Sequence, residues 1–78
     1  MGWKVTNTCI VCDREVMFGK PTVRGTRITV EHILRMAAGG HSELEIVDQH
    51  PRLTIEDVRA AFKYAADDIA PWRIEAAE

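Results

Sequence analysis

Residues 54–69 read TIEDVRAAFKYAADDI, and this stretch decides the fold of the chain. Thr54 and Asp57 have the spacing of a capping box at the start of a helix, and Pro71 predicts where the helix ends. Between them, apolar side chains recur at steps of three and four residues, which places them along one helical face; they are Ile55, Val58, Phe62, Ala65 and Ile69. This is the longest helix that the sequence predicts.

Two shorter helices are predicted upstream. The first begins at the capping residue Thr29 and stops at the glycine pair 39–40. The second begins with a capping box of Ser42 and Glu45 and ends before Pro51. The last two helices predict a helix-turn-helix at residues 43–66. In the two shorter helices, the side chains expected to face the core are Val30, Ile33, Leu34, Ala37, Leu44 and Val47.

The segment before the helices predicts a small β ribbon. Residues 9–12 are short, apolar and β-branched at their centre, which is typical of a strand. Residues 21–28 form a second extended piece with a tight turn at Arg24-Gly25, where glycine accepts a positive φ without strain. We therefore expect a mainly α fold, a three-helix unit preceded by an N-terminal β ribbon, with residues 1–8 as an arm, 9–70 as one domain and 71–78 as a tail.

Length and composition exclude several classes of protein. The 78 residues have room for one small domain with a thin core, which argues against a buried active-site cleft. No apolar run approaches the roughly 18 residues of a membrane span, and the first residues lack a signal-peptide pattern, so a soluble cytoplasmic protein without membrane contact is expected. The net charge of -2 excludes binding of nucleic acid by bulk positive charge.

Charge is distributed unevenly along the chain. Residues 1–30 carry five basic and two acidic side chains, whereas residues 31–78 carry five basic and ten acidic ones. A basic half joined to an acidic half predicts two partners of opposite charge or head-to-tail self-association. The alternative is chance scatter in a short chain.

Six basic residues are candidates for contact with DNA: Lys20, Arg24, Arg27, Arg52, Arg59 and Lys63. Arginines held at a rigid turn bind phosphate bidentately, which favours the ribbon, although Arg27 has the alternative of an ion pair with an acid of the C-terminal half. The third helix is less suitable, because Glu56 and Asp57 occupy the first turn that a DNA-reading helix presents to the groove. For Arg52 and Arg59 the alternative is solvated surface charge.

The sequence predicts neither a metal site nor a catalytic set. Cys9 and Cys12 supply two of the four ligands of a structural zinc site, and positions three apart on a strand point to opposite faces. We therefore expect two reduced thiols and no metal ion or cofactor, since the three histidines (His32, His41 and His50) join the cysteines only by accident of the fold. The carboxylates lie in patterns of helix faces and caps, so no enzyme is predicted.

The tail contains two candidate partner-binding residues, Trp72 and Ile74. They follow a helix-ending proline in a segment with few other means of burying them, and tryptophan is common among binding hot spots. The alternative is that Trp72 folds back on the core of its own chain.

Two stretches of sequence resemble one bacterial family. Residues 19–30 read GKPTVRGTRITV, and after one predicted helix Gly40-His41-Ser42 and residues 50–58, HPRLTIEDV, follow. Over roughly residues 9–68 this pattern is similar to domain of unknown function 433 (DUF433), whose members resemble VapB-type antitoxins. The resemblance implies a homeodomain-like helical domain, often encoded beside a PIN-like toxin, that neutralises the toxin and can bind its own operator.

Three functions stay open on the sequence. The first is the antitoxin of a type II toxin–antitoxin pair, which binds a PIN-like toxin and operator DNA as a homodimer. The second is a stand-alone helix-turn-helix regulator of transcription. The third is a protein-interaction module that does not bind nucleic acid, which the acidic third helix favours.

Overall fold

Three short strands and three α-helices follow one another along the chain. A computed structural model describes residues 9–70 and, for the backbone, the strand at residues 3–5. The side chains of residues 1–8 and all of the tail, with Pro71, Trp72 and Ile74, lie outside the described residues. The elements are β1 (Trp3–Val5), β2 (Ile10–Asp13), a 3₁₀ turn (Met17–Gly19), β3 (Pro21–Val23), α1 (Val30–Ala38), α2 (Glu43–Gln49) and α3 (Ile55–Ile69).

The strands form one antiparallel sheet in the order β1-β2-β3. In the register of β2 and β3, Ile10 lies opposite Val23, which confirms the predicted ribbon and shows that the two extended pieces pair within one chain. The turn after β3 is closed by the amide of Thr26, which donates to the carbonyl of Val23 at 3.0 Å. Gly25 has a φ of +79° in this turn, as the sequence predicts. Strand β1 lies in the segment expected to be an arm and pairs with the other edge of β2.

The predicted helix starts are confirmed. The Thr29 hydroxyl accepts a hydrogen bond from the amide of His32 at 3.0 Å and caps α1. Helices α2 and α3 both begin with complete capping boxes, Ser42 with Glu45 and Thr54 with Asp57, in which each side chain accepts from the other residue's amide. Such caps satisfy amides that have no partner inside a helix, so these polar residues fix where each helix begins.

The core lies between the sheet and the three helices. Strand β2 packs on α3, β3 packs on α1, and the helices contact one another. The buried apolar side chains are Ile10, Val23, Val30, Ile33, Ile46, Leu53, Val58 and Ala61. The fold is therefore mainly helical, with an N-terminal antiparallel ribbon attached through the same core. No helix in residues 9–70 is long and apolar enough to cross a membrane.

Two apolar positions differ from the predicted pattern. The Leu44 side chain is 73% exposed, so the prediction that it faces the core is wrong, and Ile46 is fully buried in its place. With seven residues, α2 has only two turns, and the pattern of so short a helix does not decide which face is inward. Ile69, the last residue of the predicted stripe of α3, is 53% exposed because it lies beyond the core.

Candidate functional site

A shallow groove of about 600 Å³ lies beside the turn that follows β3. Two of its lining residues are arginines, one is acidic, and the others are small or apolar. The lining residues are Val11, Asp13, Val16, Thr22, Arg24, Gly25, Thr26 and Arg27. The groove thus joins the ribbon of the fold to the most basic cluster that the sequence predicts.

Strand geometry explains why these side chains meet. Ile10 is buried in the core, and alternation along a strand then places Val11 on the opposite face, where it lines the groove. The turn is held rigidly: the Arg24 amide donates to the carbonyl of Cys9 at 2.7 Å, and the Thr26 hydroxyl donates to the carbonyl of Val23 at 2.9 Å. The Ile28 amide in turn donates to that hydroxyl at 3.0 Å. Both arginines therefore extend from a fixed backbone.

The two groove arginines have no acidic partner among the described residues. Arg24 and Arg27 are both exposed, and neither forms an ion pair with a described residue, including the acids of the helices. Asp13, the acid of the groove, instead accepts a hydrogen bond from the Glu15 amide at 2.9 Å. The predicted alternative, in which Arg27 is tied to a C-terminal acid, is not found in residues 9–70. Within residues 9–70 these two guanidinium groups are therefore not compensated by an acid, and their geometry suits an external anion.

Three of the other candidate DNA contacts are engaged within the chain. Lys20 lies 3.6 Å from Glu31, and Lys63 lies 3.1 Å from Asp67. Arg59 donates two hydrogen bonds, of 2.8 and 3.0 Å, to the Glu43 carboxylate of α2. Arg52 is exposed in the turn between α2 and α3, without an ion pair to a described residue. None of these four lines the groove.

Ion pairing lowers the pKa of two acids, Glu43 and Glu31. The Arg59 guanidinium bonded to Glu43 holds the pKa of that carboxyl below its ordinary value. Hydrogen bonding to Arg35, with Lys20 nearby, lowers the pKa of Glu31 in the same direction. These helical charges are thus satisfied internally, unlike those of the groove.

The two cysteines approach the same helix. Burial, followed by a hydrogen bond to Asp57, raises the pKa of the Cys9 thiol, while burial and the neighbouring Cys12 raise the pKa of Tyr64. The expectation that the cysteines point to opposite faces is wrong, because Cys9 lies in a bend before β2 begins. Neither is in a disulfide, and no group of three or more potential ligands in residues 9–70 is arranged to hold a metal ion.

The part of the chain that matches a known family contains the groove and the buried core. Residues 10–65 match a family described as a protein of unknown function (DUF433). The chain belongs to this family. Strands β2 and β3, the groove, α1, α2 and most of α3 all lie within the DUF433 match.

One relative of this DUF433 chain is the uncharacterized protein y4eO of Sinorhizobium fredii (strain NBRC 101917 / NGR234). The two are 37% identical over 51 residues, which is 65% of this chain. The match covers 23% of the relative, so the chain spans less than a quarter of that protein's length. No solved structure matches.

Two features of the DUF433 chain were not predicted from the sequence. Phe18 is 93% exposed, and its φ of +60° lies in the left-handed region that is costly for residues other than glycine. It follows Met17, which also has a positive φ, and Val16, which lines the groove. The second feature is a contact between His32 and His50, whose Nε2 atoms are 3.1 Å apart. Met17 and Phe18 are neither glycine nor asparagine, the residues that favour a positive φ, and the two histidines are 18 positions apart, so no local pattern indicated either feature.

Proposed function

We propose that this chain is a non-catalytic, cytoplasmic antitoxin of a bacterial type II pair. It binds a PIN-like toxin and, as a homodimer, contacts operator DNA through the ribbon turn. One observation carries the DNA part of the proposal: Arg24 and Arg27 are exposed on a rigid turn without an acidic partner in the described residues. The resemblance of the DUF433 motifs to VapB-type antitoxins supports the toxin-binding part.

The ribbon is a better DNA contact than α3. In a helix-turn-helix of homeodomain type, α3 would be the recognition helix and would enter the major groove. Its Arg59, however, is bonded to Glu43, and its first turn carries Glu56 and Asp57. A phosphate would have to displace Glu43 from Arg59, and Glu56 and Asp57 would repel it. We therefore assign the phosphate contacts to Arg24 and Arg27, with α3 in a supporting role.

The proposed toxin contact uses apolar side chains. Trp72 and Ile74 of the tail are the candidates from the sequence, and they lie outside the described residues. Phe18 is a further candidate, because an aromatic ring that is 93% exposed on a strained backbone costs folding free energy that burial among residues 9–70 does not offset. Aromatic side chains are enriched among the residues that dominate binding energy.

The experiment that tests the toxin part is co-expression with the product of the adjacent gene. Affinity purification followed by light scattering gives the mass of the complex. We expect the two proteins to elute together, and a W72A/I74A variant or an F18A variant to weaken that association. Elution of the chain alone, as a dimer, in the presence of folded neighbour protein would contradict the antitoxin role and leave the stand-alone regulator.

The DNA part is tested with two variants that remove equal charge. R24Q/R27Q removes the groove arginines, and R59Q/K63Q removes two basic groups of α3. Binding is measured to the DNA upstream of the chain's own gene. We expect R24Q/R27Q to lose affinity and R59Q/K63Q to retain it. The reverse result would assign recognition to α3, and no loss in either variant would remove both surfaces from the proposal.

A protein-interaction module without DNA binding is the second candidate. It is supported by the pairing of the basic groups of α3, because Arg59 is paired with Glu43 and Lys63 with Asp67. In that case the groove arginines bind carboxylates of a protein partner. R24Q/R27Q would then weaken the protein complex, while the wild-type chain would bind no DNA at low salt.

A further inference from the structure

A pair of histidines joins α1 to the end of α2. The Nε2 atoms of His32 and His50 are 3.1 Å apart, and the ring centroids are 5.0 Å apart with the ring planes at 78°. In the protein alone this is a hydrogen bond, with one ring donating its Nε2 proton to the lone pair of the other. The two Nε2 atoms therefore face each other across the same small space.

The backbone on either side of this space is fixed. The His32 amide donates to the Thr29 hydroxyl in the first turn of α1. His50 is the cap residue of α2, its amide donates to the carbonyl of Ile46 at 3.0 Å, and its carbonyl accepts from the amide of Leu53 at 2.8 Å. A ligand that needs both imidazoles consequently finds them already close together, with only rotation of the two rings left to adjust.

The spacing suits two ligands of one metal ion. Imidazole nitrogens lie about 2.0–2.1 Å from a zinc ion, so two of them in tetrahedral geometry are roughly 3.3 Å apart. The observed 3.1 Å between the Nε2 atoms is close to that separation. His32 is exposed and His50 is half-buried, so an ion can reach the pair and keep water on its remaining positions. Imidazole suits Zn²⁺, Ni²⁺ and Cu²⁺.

We propose that His32 and His50 bind a divalent transition-metal ion through their two Nε2 atoms. The ion replaces the proton that the two nitrogens share. When both rings are neutral, the donor ring carries its proton on Nδ1 instead and no proton is released; when the pair holds an additional proton, that proton leaves to solvent. Because no described cluster of three or more ligands completes the site, water fills the other positions, and the ion exchanges readily.

Metal binding at this site makes the stability of the fold depend on the concentration of the ion. The site connects the first turn of α1 with the turn between α2 and α3, and it forms only when these elements are packed. An ion that binds the folded chain and not the unfolded one stabilises the fold by mass action. This inference does not depend on the proposed antitoxin role, since it concerns neither the groove nor the tail.

The test is titration of the full chain with NiCl₂ or ZnCl₂ alone. Calorimetry gives the affinity, thermal unfolding with and without the ion gives the metal-dependent shift, and NMR of the histidine ring protons locates paramagnetic Ni²⁺. The variants are H32Q and H50Q. The matched control is H41Q, because the Nδ1 atom of His41 contacts the carbonyl of Met36 and is not part of the pair. A C9S/C12S variant controls for thiolate binding.

We expect one ion per chain and broadening of the His32 and His50 ring signals. Each pair variant is expected to lose at least about tenfold in affinity, which corresponds to about 1.4 kcal/mol, while H41Q and C9S/C12S bind as the wild type does. Comparing each variant with and without the ion separates loss of the ligand from loss of the histidine hydrogen bond. Unchanged binding by H32Q and H50Q, loss of binding in the cysteine variant, or no binding at millimolar ion would overturn the proposal.

Discussion

The basic side chains of the ribbon and those of the helices differ in whether they form ion pairs with described residues. Of the four basic residues between residues 9 and 29, only Lys20 has an ion-pair partner among the described residues, and that partner is in α1. Of the four between residues 30 and 70, all except Arg52 are paired. Exposed ion pairs contribute little to stability, but each one neutralises the basic group that forms it. The comparison indicates that most basic side chains of the helices are paired within the described residues, whereas three of the four in the ribbon segment are not.

The backbone shows the same contrast. The helices begin with satisfied caps, whereas the loop before β3 holds Met17 and Phe18 at positive φ with the Phe18 ring in solvent. Local strain that the fold tolerates is found most often at sites of function. The helical half is therefore expected to respond to mutation through stability, and the ribbon half through binding.

The largest effect is expected in the helical half. Ile46→Ala removes a fully buried side chain and should cost about 2–5 kcal/mol of unfolding free energy, enough to unfold much of so small a domain. Leu44→Ala, two residues away in α2 and 73% exposed, should stay within about 0.5 kcal/mol. Urea unfolding followed by circular dichroism measures both. Equal costs for the two variants would mean that α2 packs through a different face.

The next effect concerns the salt dependence of DNA binding in the ribbon half. Each phosphate contact contributes about -0.9 to the slope of log K against log salt. R24Q/R27Q should therefore make the slope shallower by about 2, and R59Q/K63Q should leave it unchanged. The measurement is fluorescence anisotropy at several salt concentrations. An unaltered slope in R24Q/R27Q would show that the groove arginines touch no phosphate, even if affinity falls.

Phe18→Gly should stabilise the protein. Glycine relieves the left-handed strain at this residue, and the exposed ring loses no packing, so a gain of about 1 kcal/mol is expected. Phe18→Ala, which removes the ring and keeps the unfavourable φ, should give little or no gain. Thermal unfolding compares the two. A loss of stability in Phe18→Gly would mean that the ring makes stabilising contacts, and the ribbon would then not differ from the helices in this respect.

The smallest effect is expected in the pH dependence of stability that comes from the Arg59–Glu43 ion pair between α3 and α2. The pKa of Glu43 lies below its ordinary value of 4.5 because Arg59 binds the carboxylate. The stabilisation of the fold by the Arg59–Glu43 ion pair is therefore complete above pH 4.5 and is lost as the pH falls through the lowered pKa of Glu43. Glu43→Gln should flatten the fall of stability below about pH 4.5 relative to the wild type. Asp48→Asn, at an exposed position of α2 without an ion pair to a described residue, is the control and should retain the wild-type slope.

Local signals in the sequence account for the elements and their starts. Thr29, the Ser42–Glu45 box and the Thr54–Asp57 box act within three residues, so their spacing is sufficient to predict them, and Gly25 marks its turn for the same reason. In α2 the predicted inward position of Val47 is confirmed and that of Leu44 is wrong, since Leu44 and Ile46 are both apolar and only contact with α1 and α3 separates them.

The candidate site was predictable only in part. Arg24 and Arg27 adjoin a turn that the sequence indicates, and their proximity follows from it. Whether an acid reaches them depends on tertiary packing, as it does for Arg59, whose partner Glu43 is 16 positions away. The pairing of His32 with His50 likewise arises from how distant segments pack, which periodicity does not contain.

The packing of β2 on α3 also sets when the chain is able to fold during synthesis. Ile10, from the first strand with a described side chain, shares its core with Val58 and Ala61 of the last described helix. Until α3 has left the ribosome, β2 lacks the helix on which it packs, although β3 is already able to contact α1. Folding is therefore expected to be completed late: a nascent chain in which Ala61 is still inside the ribosome should exchange its β2 amide protons rapidly, and one in which Ile69 has emerged should protect them.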